Sequence, residues 1–147
     1  MYEILIVDDS VLDIDCIRFL IEKYEFPLHA VTAVNGNETL SLLKKKGMHI
    51  DILFTDIKMP FMDGLELSRE VRRLSPDTKI VIFSGFTDFE YAKTAITIGV
   101  ENYLMKPIIP SDFEATIRKV LRSIDARREQ EKHQKRQTRI IKSHILW

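Results

Sequence analysis

Short apolar runs and helix-patterned stretches alternate five times along this 147-residue chain, and that alternation limits the folds open to it. Residues 3–7, 28–34, 51–55, 79–83 and 101–105 read as strands. Runs such as Ile4-Leu5-Ile6-Val7 and Ile52-Leu53-Phe54 are apolar at successive positions, the pattern of a strand buried on both faces. Between them lie helical patterns over 11–24, 35–46 and 65–74, and one that ends near Ile98. In the first of these, Val11, Leu12, Ile14, Ile17, Phe19, Leu20 and Ile21 supply apolar positions. A last helix carries Phe113, Ile117, Val120, Leu121 and Ile124 on one face. Asn35 with Glu38, Thr87 with Glu90 and Ser111 with Glu114 have the spacing of capping boxes, and Asp63-Gly64 leads into the third helix. Strands that alternate with helices form right-handed crossovers around a parallel sheet. The expected fold is an α/β, doubly wound, five-stranded parallel sheet with helices on both faces.

Ligands of such sheets bind beyond the carboxyl ends of the strands. Four strand ends carry polar chemistry there: Asp8 and Asp9 after the first, Asp56 after the third, Ser84 after the fourth and Lys106 after the fifth. Three carboxylates in one crevice repel each other unless a cation neutralises them or their pKa values rise. Mg²⁺ prefers hard oxygen ligands and keeps part of its water shell, so two or three carboxylates suit it. A carboxylate can also attack phosphorus, forming an acyl phosphate. On this reading Asp8 and Asp9 hold the metal, Asp56 is the nucleophile, and Lys106 and Ser84 contact phosphoryl oxygens. Cys16 is expected to be a small core residue, Asp63 a helix cap, and Gly64 part of a tight turn.

Formal net charge is zero, so bulk electrostatics points to neither nucleic acid nor membrane. The average hides an asymmetry. From residue 127 onward, Arg127, Arg128, Lys132, Lys135, Arg136, Arg139 and Lys142 face only Glu129 and Glu131. A single cysteine, no signal-like N-terminus and no apolar run of membrane-spanning length lead to the expectation of a cytoplasmic protein.

The motifs resemble those of receiver domains of two-component response regulators. The residues that carry the likeness are Val7-Asp8-Asp9-Ser10, Asp56-Ile57-Lys58-Met59-Pro60, Met62-Asp63-Gly64, Ser84-Gly85 and Tyr103-Leu104-Met105-Lys106-Pro107. Each is weak alone; all in order are specific. The run from Ser84 to Ala92 is similar to receivers attached to AraC-type DNA-binding domains. The resemblance implies a flavodoxin-like (βα)5 sheet in the order 2-1-3-4-5 and a receiver body over residues 1–125. It implies phosphorylation of Asp56 by a sensor histidine kinase, with Mg²⁺ (or Mn²⁺) on Asp8, Asp9, Asp56 and the backbone carbonyl of Lys58. Ser84 and Tyr103 would form a switch pair, the Lys106-Pro107 bond would be cis, and Lys58 and Phe86 would tune dephosphorylation.

Residues 126–147 are expected to be a basic helical extension, or a linker to an effector domain outside the chain, ending in an apolar patch of Ile140, Ile141, Ile145, Leu146 and Trp147. The implied output is a phosphorylation-dependent homodimer through the face of the fourth helix, fifth strand and fifth helix, with Ile96, Val100, Arg118 and Arg122 as candidate contacts. DNA would be reached only through the effector domain, and no membrane partner is expected. Two other readings compete. A metal-dependent aspartyl-phosphate phosphatase would need a substrate-binding cap, and no inserted segment supplies one. A flavin or nucleotide carrier would be expected to show glycine-rich phosphate loops, and the five glycines are dispersed. No enzymatic turnover is expected.

Overall fold

In a computed structural model, which describes residues 1–85 and 89–145, the chain folds as β1 (Tyr2–Val7), α1 (Val11–Lys23), β2 (Leu28–Ala33), α2 (Gly36–Lys46), β3 (Ile52–Thr55), α3 (Gly64–Leu74), β4 (Lys79–Ser84), α4 (Phe89–Ile98), β5 (Asn102–Met105) and α5 (Pro110–Ile145). All strand pairs are parallel and the sheet order is β2-β1-β3-β4-β5. The expected doubly wound sheet and strand order are therefore present.

The continuous apolar runs are explained by two cores. Successive residues of a strand point to opposite faces. Ile4, Ile6, Ile52, Phe54, Val81 and Phe83 enter one core with Ile14 and Ile17 of α1 and Phe113, Ile117, Val120 and Ile124 of α5. Leu5, Val7, Leu53, Ile80 and Ile82 enter the other with Leu65, Leu67 and Val71 of α3 and Ala95 of α4. Phe54 packs against both Phe83 and Phe113, with ring centroids 4.7 and 5.8 Å apart. Burying a side chain of this size stabilises by roughly 1.5–3 kcal/mol.

Several local expectations change. Cys16 is exposed rather than in the core. Helix α1 has more apolar residues than its buried stripe of Ile14, Ile17, Leu20 and Ile21 can use, so Leu12 and Phe19 are left 81% and 62% exposed. Asn35 does cap α2, accepting the Glu38 N–H at 2.7 Å, and Asp63 caps α3 by accepting the Glu66 N–H at 2.8 Å. Ser111 does not cap α5. The helix begins at Pro110, whose fixed φ suits a first helical position and whose missing N–H is not needed there. The Thr87 capping box lies outside the described residues, as do Phe86 and the terminal Leu146 and Trp147.

Helix α5 runs 36 residues, about 54 Å at ~1.5 Å per residue. Its last core residue is Ile124, and every residue from Glu129 to His144 is exposed. Two arginines fix the departing helix to the end of the sheet opposite the aspartates. The Arg128 guanidinium donates to Asp51 Oδ1 at 2.8 Å and lies 4.7 Å from the Tyr2 ring centroid. Asp51 Oδ2 also accepts the Glu3 N–H at 2.8 Å. Arg127 donates to the Asp77 carbonyl at 2.8 Å. Arg118 and Arg122 turn toward the loop between α1 and β2, with the Arg118 guanidinium 5.3 Å from the Phe26 ring centroid. They therefore leave the β5 side of α5, which is marked by Thr116 accepting from Asn102 at 2.7 Å. Among the described residues, no helix is long and apolar enough to cross a membrane.

Candidate functional site

The strand register assembles the site. Val7 pairs with Thr55, so Asp8 and Asp56 leave neighbouring strands at the same level. Ser84 pairs with Met105, which places Lys106 just beyond it, and the Lys106 N–H donates to the Ser84 carbonyl at 2.9 Å. The Asp8 N–H donates to Ala33 of β2 at 3.2 Å, and the Asp56 N–H to Val7 at 3.0 Å. These bonds continue the sheet by one residue and hold the carboxylates at its edge.

Among the described residues, Asp8, Asp9 and Asp56 offer carboxylate oxygens that all lie within 4.8 Å of one another. Asp8 and Asp56 are buried and Asp9 is exposed. The Lys106 Nζ stands among them, 2.9 Å from Asp8 Oδ2 and 3.2 Å from Asp56 Oδ2. It also stands 2.8 Å from Asp13 Oδ2, a contact the sequence did not suggest. Asp13 sits in the first turn of α1, where Ser10 Oγ caps its N–H at 3.4 Å. Its only signal was an acidic residue one turn after the Asp8-Asp9 pair. Below the ammonium lies the Phe83 ring, with its centroid 4.9 Å from Nζ.

Among the described residues, electrostatics at the site are unbalanced, with four carboxylates around the Lys106 ammonium. Burial pushes the Asp8 carboxyl up to about 6, against the pull of Lys106 and the Ser10 N–H. Burial also raises Asp56, again opposed by Lys106. Burial of Lys106 favours its neutral form, but the hydrogen bonds it donates to Asp13 and Asp8 and the charge of Asp56 outweigh it, so its pKa is raised and it stays charged. Burial and the neighbouring carboxylates both disfavour the ionised forms of Asp8 and Asp56, and a bound cation would relieve both. The donor set is all oxygen and carries excess negative charge, which fits Mg²⁺ or Mn²⁺.

The loop after β3 is shaped around Asp56. The Ile57 N–H donates to Asp56 Oδ1 at 2.7 Å, which leaves Oδ2 facing Lys106. The Gly64 N–H donates to the Ile57 carbonyl at 2.7 Å, and a Cβ on Gly64 would lie 1.9 Å from the Asp56 carbonyl oxygen. Gly64 is thus required for close approach to the Asp56 backbone, more than for the turn itself. Lys58 is exposed, with its Nζ 5.9 Å from the Tyr91 ring centroid. Ser84 is fully buried at the end of β4. Tyr103 is partly buried against the core on the α3–α4 side. The Lys106-Pro107 bond is cis, as the resemblance implied.

Comparison with known proteins gives this arrangement its context. Residues 4–118 match the response regulator receiver domain family. The chain is 36% identical over 137 residues to the uncharacterized transcriptional regulatory protein YesN of Bacillus subtilis, covering 92% of this chain and 36% of that protein. It is 33% identical over 125 residues to the probable transcriptional regulator ycf27 of Porphyridium aerugineum, covering 84% of this chain and 49% of the relative. The chain thus spans a third to a half of the length of these curated relatives. Among solved structures, a two component transcriptional regulator AraC from Clostridium phytofermentans matches with a TM-score of 0.75 at 28% identity, over 88% of this chain and 99% of that one. A response regulator receiver domain protein from Clostridium thermocellum matches with a TM-score of 0.76 at 28% identity, over 86% and 98%. Fold, strand-end motifs and family match agree: this chain belongs to the receiver domain family of two-component response regulators, and its relatives include YesN-like and AraC-type transcriptional regulators.

Proposed function

We propose that Asp56 accepts a phosphoryl group from a phosphohistidine of a sensor histidine kinase, with Mg²⁺ or Mn²⁺ held by Asp8, Asp9, Asp56 and the backbone carbonyl of Lys58. The observation that carries this reading is the convergence of the three carboxylates within 4.8 Å, with the Lys106 ammonium 3.2 Å from Asp56 Oδ2. An Asp56 carboxylate oxygen attacks phosphorus, the phosphorus–nitrogen bond breaks, and the leaving ring nitrogen takes a proton from solvent, so that the imidazole departs neutral. The product is an acyl phosphate on Asp56. A bound divalent cation neutralises charge on the carboxylates and on the transferring group. Lys106 donates to a phosphoryl oxygen, and Phe83 beneath it limits where the ammonium can go. Burial around Asp8 and Asp56 keeps these interactions strong.

Phosphorylation brings about −1.5 to −2 charge to Asp56. The Ser84 hydroxyl lies one strand away, at the end of β4, where it can turn to a phosphoryl oxygen. Tyr103 pairs with Ile82, two residues before Ser84, so a shift at Ser84 is passed to the ring. In this reading the pair changes the face made by α4, β5 and α5 and drives homodimerisation there. Exposed Ile96 fits such a face, whereas Arg118 and Arg122 do not belong to it. Residues 1–125 form the receiver unit. Residues 126–147 carry the signal toward an effector domain outside this chain, through which transcription is regulated. The role is a phosphorylation switch rather than a turnover enzyme. Incubation with acetyl phosphate and Mg²⁺ tests the acceptor. The expected result is a mass gain of one HPO₃ unit that hydroxylamine removes. A gain that survives Asp56→Asn places the phosphoryl group elsewhere.

A further inference from the structure

We infer that Asp13 is a positioning residue for Lys106: it tethers the ammonium from the α1 side, so that Lys106 stays beside Asp56 when Asp8 and Asp56 turn to a divalent cation. The inference rests on the metal and acceptor reading of the carboxylate group given above.

A lysine ammonium has three donors and no acceptor. Here they go to Asp13 at 2.8 Å, Asp8 at 2.9 Å and Asp56 at 3.2 Å. Asp8 and Asp56 belong to the group of oxygens that converge within 4.8 Å, and Asp13 stands outside it. An arriving dication therefore claims two of the three partners of Lys106 and repels the ammonium as well. Without a third carboxylate, Lys106 either keeps hold of Asp8 and Asp56 and competes with the cation, or swings into solvent. Asp13 removes that conflict. It offers a negative partner that the cation does not take.

The geometry makes the tether firm. Asp13 is fixed by the first turn of α1, with its N–H on Ser10 Oγ. The Lys106 main chain is fixed by its N–H on the Ser84 carbonyl, and Phe83 walls off one side of the ammonium. A small rotation about the Asp13 contact is then enough to move Nζ from Asp8 to an oxygen of the group on Asp56. Asp13 is 40% exposed and Lys106 20%, so solvent screens the pair. The effect of losing the charge is set accordingly at about fivefold in cation affinity, the upper end for a partly exposed ion pair.

Isothermal titration of the apo protein with Mg²⁺ tests this, using the wild-type chain, Asp13→Asn, Asp13→Glu, Lys106→Met and the Asp13→Asn/Lys106→Met double variant. Asp13→Asn is expected to weaken Mg²⁺ binding about fivefold, and Asp13→Glu to restore most of it. In the Lys106→Met background, Asp13→Asn is expected to change affinity by less than about twofold, because Asp13 acts through Lys106. Equal weakening in both backgrounds would mean that Asp13 only adds negative charge to the site, and overturns the tether. So does an unchanged affinity in Asp13→Asn while the wild-type chain binds Mg²⁺. A wild-type chain that takes up no Mg²⁺ overturns the metal reading itself, and the tether with it. Unfolding midpoints in EDTA identify any variant that is misfolded, and Asp13→Glu then carries the comparison.

Discussion

Replacing Asp8 by Asn should stabilise the metal-free protein at neutral pH while abolishing its stabilisation by Mg²⁺. The Asp8 carboxyl is fully buried, and burial lifts it from 3.8 to about 6. Between those values the folded state holds a proton that the unfolded state has released. The contribution of Asp8 to stability is therefore greatest below about pH 4 and is lost as pH rises through 6. A shift of about two units corresponds to ~3 kcal/mol lost by pH 7.5. Asparagine carries no such charge, and its oxygen can still accept the Ser10 N–H that Asp8 Oδ1 accepts at 2.9 Å. It forfeits the charged contact with Lys106, but the ammonium keeps Asp13 and Asp56. The rise to about 6 already includes the pull of Lys106, so the net expected gain is about 2–3 kcal/mol. For a chain of this size that raises the unfolding midpoint by ~2–4 °C per kcal/mol. Mg²⁺ near saturation should reverse the order, because a ligand at about a thousand times its Kd stabilises the wild-type fold by about 4.1 kcal/mol and the variant lacks a ligand for it. Thermal unfolding of both proteins, in EDTA and in Mg²⁺ from pH 4 to 8, reads all of this. A lower midpoint for Asp8→Asn in EDTA at pH 7.5, or an equal pH slope in the two proteins, would refute the reasoning.

Other consequences can be measured on the same material. Gly64→Ala puts a Cβ against the Asp56 carbonyl and should cost at least about 1–3 kcal/mol in urea unfolding, with loss of phosphoryl acceptance. Arg128→Ala removes the guanidinium from buried Asp51 and should cost about 1–3 kcal/mol, seen also as faster amide exchange in α5 beyond Ile124. Ending the chain after Arg128 should leave the unfolding free energy within about 0.5 kcal/mol, because everything from Glu129 to His144 is exposed.

The sheet was legible because each strand is a short apolar run buried on both faces, and the site was legible because its residues directly follow those runs. Asp8, Asp9, Asp56, Ser84 and Lys106 needed only the rule that parallel strands end at one edge. Asp13 was hidden because its role depends on how far the loop after β5 leans over α1, which no spacing along the chain records. Cys16 was misread because α1 is apolar on more than one side, so periodicity alone does not choose the buried stripe. The α5 start was misread because Ser111 and Glu114 have capping spacing, yet Pro110 fits the first helical position better. The direction of Arg118 follows from the Phe26 ring, a contact distant in sequence, and Arg122 lines the same cleft. Gly64 was noticed, but for the turn, since the approach of the Asp56 carbonyl appears only in three dimensions.

Asp56 is the proposed carrier of the phosphoryl group. Treatment with acetyl phosphate and Mg²⁺, followed by borohydride reduction, converts an aspartyl phosphate to homoserine and marks its position for peptide mass mapping. Homoserine is expected at position 56, dependent on Mg²⁺ and lost in EDTA. Homoserine at Asp8, Asp9 or Asp13, or none at any aspartate under conditions where the wild-type chain is folded and Mg²⁺-bound, would contradict the account.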